Sequence, residues 1–197
     1  MRVIAGKVGG LRLKTLRGLD LRPTMDRVKE SIFNVLAPDL AESRALDLFA
    51  GSGSLGIEAL SRGARQVIFV EKRPEAVVII KENLSFTGLL SAAQVIRGEA
   101  LQVIRTLGSE EFDHIFADPP YNRGLALTAL TGIARQDLLK LGGTLVLETS
   151  KREELPEEIG DLSRYRHLDF GGTRVHFYKR TLMGGKKDDD RRLSRQL

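Results

Sequence analysis

Apolar and polar positions along this chain follow two alternating rhythms. Short apolar runs have the length and β-branched content of buried strands: "ALDLF" (45–49), "QVIFVE" (66–71), "AAQVIRGE" (92–99), "FDHIFAD" (112–118) and "GGTLVLET" (142–149). Between them lie "SLGIEALSRG" (54–63), "PEAVVIIKENLSFTG" (74–88), "ALQVIRTL" (100–107) and "GLALTALTGIARQDLL" (124–139), which read as helices. Gly63 closes the first of these helices; Pro74 opens the second and Gly88 ends it. This regular alternation predicts a doubly wound α/β fold, a mostly parallel sheet with helices on both faces. The end of the chain breaks the rhythm. "YRHLDFGGTRVHFYKR" (165–180) holds two strand-like runs about Gly171-Gly172 with no helix between, so an antiparallel hairpin completes a sheet of seven strands.

Upstream of this body, residues 2–22 alternate apolar and polar around Gly9-Gly10 and predict a small β-hairpin. "RPTMDRVKESIFNVL" follows, with Val28, Ile32, Val35 and Leu36 at helical spacing, Asp26 as its expected cap and Pro38 as its stop. The expected organisation is a basic extension over 1–22, one domain over 23–180 and a basic tail over 181–197. The tail's mixed-sign run "KKDDDRR" reads as disordered.

Composition narrows the chemistry. The 197 residues are 42% hydrophobic and 29% charged, enough for a buried core, with no apolar run of membrane-spanning length and no leader-like start. A cytoplasmic protein is the expected setting, and a monomer the expected state. The absence of cysteine excludes disulfides, thiolate metal sites and a cysteine nucleophile, and the three histidines lack metal-ligand spacing. Residues 1–22 carry six basic residues against one acid and residues 179–197 seven against three, so the net charge of +5 sits on an acidic middle with basic ends. Such a pattern suits a polyanion held at the rim, with Arg2, Arg12, Lys14 and Arg22 as candidate contacts, although terminal charge also serves solubility alone.

Two motifs carry chemistry. Gly51, Gly53 and Gly56 form G-x-G-x-x-G between a strand and a helix, and Glu71 ends the next strand 20 residues after Gly51. This is where a doubly wound sheet binds a nucleotide-like cofactor, with the acid accepting from ribose hydroxyls. Asp47, just before the glycines, opposes a pyrophosphate and attracts an ammonium, which points to S-adenosylmethionine rather than a dinucleotide; its other reading is a turn cap. Glu99 at the third strand's tip either meets an adenine amino edge or is an exposed strand-end acid.

The second motif is Asp118-Pro119-Pro120-Tyr121 at the end of the fourth strand. Two prolines give a stiff corner that lacks two N–H donors, leaving the Asp118 carboxylate and carbonyls as acceptors. The corner suits an –NH2 group, and Tyr121 offers a face on which a base can stack. A plain strand stop with Tyr121 in the core is the alternative. Pyrimidine C5 methylation, which commonly uses a cysteine adduct, is disfavoured, whereas methylation of an exocyclic amine needs no nucleophilic residue.

These stretches, together with "RVIAGKVGGLRL", "LRPTMDRVKESIFNVL", "LDLFAGSGSLGIEALSRGA" and "FADPPY", resemble the Rossmann-like S-adenosylmethionine-dependent methyltransferases with a (D/N)PP(Y/F) motif, and within them the bacterial RsmD type. The resemblance runs from residue 2 to about residue 180. It implies methylation of the N2 amine of a guanine in 16S ribosomal RNA, the family substrate being guanine-966 within a 30S subunit or assembly intermediate. It further implies that Asp47, Gly51 and Gly53 line the methionine half of the cofactor, Glu71 the ribose and Glu99 the adenine, with Phe49, Lys72 and Ala100 also among the cofactor contacts. Thr24 and Asp26 would close over cofactor and target, Asp118 and Pro119 would hold the amine, and Tyr121 would stack on the guanine. Glu99 stands where aspartate is commoner, and "KVGGLRL" is less basic than in many relatives. Three rival readings share some of these features: a DNA adenine-N6 methyltransferase, a NAD-dependent oxidoreductase and a noncatalytic RNA-binding protein.

Overall fold

The computed structural model describes residues 1–16, 23–107 and 112–181, with the side chains of 23–25 left aside. The expected Arg22 contact and the basic tail beyond 181 therefore lie outside the described residues, as does the side chain of Thr24.

In chain order the elements are α1 (Pro23–Leu36), a 3-10 turn (Ala37–Asp39), β1 (Arg44–Asp47), α2 (Ser54–Ser61), β2 (Gln66–Glu71), α3 (Pro74–Phe86), a second 3-10 turn (Leu90–Ala92), β3 (Ala93–Arg97), α4 (Ala100–Thr106), β4 (Phe112–Ala117), α5 (Leu125–Arg135), β5 (Leu139–Ser150), β6 (Glu158–Ile159), β7 (Leu162–Phe170) and β8 (Thr173–Arg180). They build one sheet in the order β3-β2-β1-β4-β5-β8-β7-β6. The first five strands are parallel and the last three antiparallel. The expected seven strands are present; the eighth, β6, is a two-residue edge strand too short to leave an alternation in the sequence.

Side chains alternate across the sheet and define two cores. One face carries Ala45, Phe69, Phe116, Val146 and Val175 and is covered by α1, α2 and α3. The other carries Leu46, Ile68, Ile115 and Leu147 and is covered by α4 and α5. The order reverses at β1 and β4, whose C-terminal ends diverge into loops on opposite sides; this is the topological switch point where such sheets bind ligands.

Two expectations need correction. Helix α1 begins at Pro23, so Asp26 lies inside its first turn and is not its cap; proline at a first helical position needs no amide partner. Among the described residues the N-terminal hairpin is reduced to a single antiparallel bridge between Arg2 and Arg12, closed by Val3 N–H to Leu11 O (2.9 Å) and Leu13 N–H to Met1 O (2.9 Å). The segment gains its order from the body instead. Val3 and Leu13 are buried in the first core, and the buried Glu58 carboxylate accepts the amides of Ile4 (2.7 Å) and Ala5 (3.0 Å). Buried Lys29 bonds the carbonyl of Arg2 and pairs with Glu58 at 3.3 Å. Helix α2, apolar almost all round, is thereby enclosed between this segment and the sheet.

Candidate active site

Strand β1 ends at Asp47 and the chain turns through Gly51 (φ +56°) and Gly53 (φ +81°) into α2. These left-handed conformations cost little only for glycine. Gly56 serves packing: a Cβ there would stand 2.2 Å from the ring of Phe69, so the helix can lie this close to β2 only without a side chain.

Two carboxylates fasten this loop. Asp47 is buried and accepts the Gly56 amide at 3.0 Å. Glu71 accepts the Gly51 amide at 2.8 Å through one oxygen, and the Arg73 amide (2.9 Å) and Nε (3.2 Å) through the other.

Beside the loop lies a cavity of about 490 Å³, lined by Phe49, Glu71, Lys72, Glu99, Ala100, Asp118, Pro119 and Tyr121 together with Leu48, Val70, Arg73, Gly98, Pro120, Arg123 and Leu125. Its size fits a nucleoside-scale ligand. Most of the cofactor and catalytic residues singled out in the sequence thus line one cavity. Asp47, Gly51, Gly53 and Asp26 do not line it: Asp47 lies beneath the glycine loop, and Asp26 is paired with Arg2 at 3.1 Å. Glu99 reaches across to Lys72, with 3.2 Å between Oε1 and Nζ. Arg73 and Arg123, which carried no motif, also reach the cavity.

The Asp118-Pro-Pro-Tyr121 corner follows β4 and closes the cavity's other side. Asn122 takes a left-handed φ of +58°, turning the chain toward α5. Tyr121 is partly exposed and its hydroxyl meets Thr173 Oγ1 at 3.3 Å, which ties the ring to the start of β8. It is not a core residue.

Side-chain alternation places the acids together. Asp47, Glu71 and Glu148 each stand two residues beyond Ala45, Phe69 and Val146, and Asp118 two beyond Phe116, all on the α1 face. Register sets Asp118 and Glu148 side by side, one step past the Ala117–Leu147 pair. The crowding shows in their ionisation. Desolvation, then the charges of Asp118 and Glu71, push the Asp47 carboxyl up to about 7 against the opposing Gly56 amide. Asp118 is open to solvent through the cavity yet ringed by protein elsewhere, and this desolvation raises it to about 6. Burial, then Asp118, raise Glu148 well above the usual carboxylate range. Glu148 carried no sequence motif; its one legible signal was its place at the C-terminal end of an inner strand. Of these acids Glu71 is paired with Arg73, while the mutual crowding of Asp47, Asp118 and Glu148 favours a positively charged or donor-bearing ligand and opposes a pyrophosphate.

Of the basic N-terminal residues, Arg2 and Lys14 are tied to the body, Lys14 by an ion pair to Glu82 (3.0 Å) and by its backbone to Asn83. Arg12 is exposed at the bridge.

This doubly wound sheet, with its corner at the switch point, is the fold of Rossmann-like methyltransferases. The family model described as "Conserved hypothetical protein 95" matches residues 1–179. YlbH of Bacillus subtilis (strain 168), whose name provisionally assigns it rRNA methylation, is 44% identical over 91% of this chain and 99% of its own. Ribosomal RNA small subunit methyltransferase D of Haemophilus influenzae is 40% identical over 79% of this chain and 81% of its own. The solved structure of the Escherichia coli protein yhhF superposes with a TM-score of 0.82 at 27% identity, covering 92% of this chain and 98% of that one. The chain belongs to this family, the RsmD-type methyltransferases.

Proposed function

We propose that this protein methylates the exocyclic N2 amine of a guanine in 16S ribosomal RNA, presented within a 30S subunit or its assembly intermediate, using S-adenosylmethionine. The observation that carries the reading is the juxtaposition of a nucleoside-sized cavity, floored by Glu71 beside the glycine loop, with the Asp118-Pro-Pro corner that edges it. The names of the relatives support the RNA as substrate. Bound in the cavity, S-adenosylmethionine would supply an electrophilic methyl on a sulfonium.

The residues divide the work. Glu71 and Lys72 hold the ribose, Phe49 and Ala100 the flat faces, and Glu99 the adenine amino edge once released from Lys72. Gly51 and Gly53 approach the methionine half through backbone, and Asp47 supports it from beneath with negative charge. Thr24 and Asp26 at the start of α1 close over the ligand, and Arg12 with Arg2, Lys14 and Arg22 meets the phosphate backbone. Asp118 and the Pro119 carbonyl accept the two N–H bonds of the target amine, and Tyr121 stacks on its base.

An amine conjugated to a purine is a weak nucleophile, so this grip directs its lone pair at the methyl carbon. Positioning of this kind contributes several of the roughly 7–11 kcal/mol that proximity can supply. Asp118 would take the extra proton that the amine nitrogen carries once it is methylated. An ionised Asp118 also stabilises the nitrogen as it becomes cationic.

Tritiated methyl transfer to 30S particles, naked ribosomal RNA and duplex DNA tests the reading. Label in ribosomal RNA, carried on guanine, is the expected result. Label in DNA alone, or NAD binding in place of S-adenosylmethionine, would overturn it.

A further inference from the structure

Glu148 is a half-buried carboxylate beside another carboxylate, and among the described residues it makes no hydrogen bond and no ion pair. Its surroundings offer no relief. On the α1 face it stands opposite Val175 of β8. Arg174, the next residue of β8, pairs with Thr149, projects from the other face and is held by Asp169 at 2.8 and 3.1 Å. The charged or titratable groups facing Glu148 are Asp118 from the end of β4 and Tyr121 from the loop after it. Burying an acid next to an acid costs stability, and a fold keeps such a pair where an incoming ligand supplies the missing donor.

Resting on the guanine-methylation reading above, we propose that Glu148 is the specificity-determining residue for the target base: its carboxylate accepts the ring N1–H of guanine while Asp118 holds the neighbouring N2 amine. Neighbouring strands lie about 4.8 Å apart, so the two carboxylates present acceptors side by side. Guanine's edge carries two adjacent donors, N1–H and N2–H. Adenine sets its amine beside an N1 lone pair, which an ionised Glu148 repels. A donor bound to Glu148 favours its charged form and so counters the effect of Asp118.

The test is a cycle between protein and base. Wild type and Glu148→Gln are assayed on reconstituted 30S particles whose mapped target carries either guanine or 2-aminopurine, which keeps the 2-amine but has no N1–H. Wild type is expected to prefer guanine by about 10- to 100-fold in kcat/KM, the worth of a hydrogen bond to a charged group. Glu148→Gln is expected to lose most of that preference, because its amide can turn to donate to the bare N1. Its S-adenosylmethionine affinity should stay near wild type and its melting temperature should hold or rise, since a buried acid beside Asp118 is gone, which separates recognition from folding. An unchanged guanine preference in Glu148→Gln would overturn the inference while leaving the methylation reading intact. A wild-type protein that binds S-adenosylmethionine but methylates no ribosomal RNA would overturn both.

Discussion

The carboxylate of Glu71 accepts the backbone amide of Gly51 across 2.8 Å, joining the tip of β2 to the turn that leaves β1. The second strand's acid therefore fixes the shape of the glycine loop as well as lining the cavity. Glu71→Ala removes both the latch and the charge. S-adenosylmethionine affinity should fall by about 10- to 100-fold, as for loss of a charge-assisted hydrogen bond. Isothermal titration calorimetry measures this directly, and Glu71→Gln, which keeps an acceptor for Gly51, should lose less.

Asp118 should separate binding from chemistry. Asp118→Ala is expected to abolish detectable methyl transfer while leaving S-adenosylmethionine affinity within severalfold. In the wild type the rate should fall as pH drops through about 6, where Asp118 gains a proton and loses its grip on the amine. Single-turnover rates between pH 5 and 8 would show this limb, and Asp118→Asn should flatten it at a low residual rate.

Asp47 makes the opposite kind of prediction, about stability. Its folded pKa of about 7 lies above the ordinary 3.8, so the folded state binds the extra proton and stability declines as pH rises from about 4 to 7. Asp47→Asn keeps an oxygen for the Gly56 amide without the buried charge. The ligand-free variant should gain roughly 2–4 kcal/mol over wild type at pH 8 and little at pH 4.5. Urea denaturation at the two pH values decides it. The same variant should bind S-adenosylmethionine more weakly, since a negative charge beneath the loop is gone.

Glu58 anchors the N-terminal segment through the amides of Ile4 and Ala5 and balances buried Lys29 and Arg62. Glu58→Ala leaves Lys29 without its buried counter-charge and should destabilise the fold by about 3–5 kcal/mol. Hydrogen exchange should show the amides of residues 3–5 losing protection before those of β1.

The layered architecture was legible because the parallel strands carry short, mostly apolar runs and the helices between them carry punctuation such as Pro74 and Gly88. The motifs at strand ends were legible for the same reason: topology brings Glu71, Glu99 and Asp118 to one edge, whatever the loops do. Contacts made across the fold were not. Asp47 bonds Gly56, nine residues away in a turn whose path no periodicity reveals. Glu58 reads as a stray acid on an apolar helix until the N-terminal segment covers it. Glu148 gains meaning only from its register with Asp118, because strand order cannot be read from a single run of residues. The N-terminal alternation was read as hairpin pairing, whereas its buried positions, Val3 and Leu13, belong to the core against α1 and the sheet.

The account rests on an amine held by Asp118 and Pro119 beside a methyl donor. Mass spectrometry of nucleosides from 16S ribosomal RNA treated with this protein and S-adenosylmethionine tests it most directly. N2-methylguanosine from the wild type, and none from Asp118→Ala, is the predicted result. Unmodified RNA, a methyl group on another atom, or equal yield from the Asp118→Ala protein would contradict it.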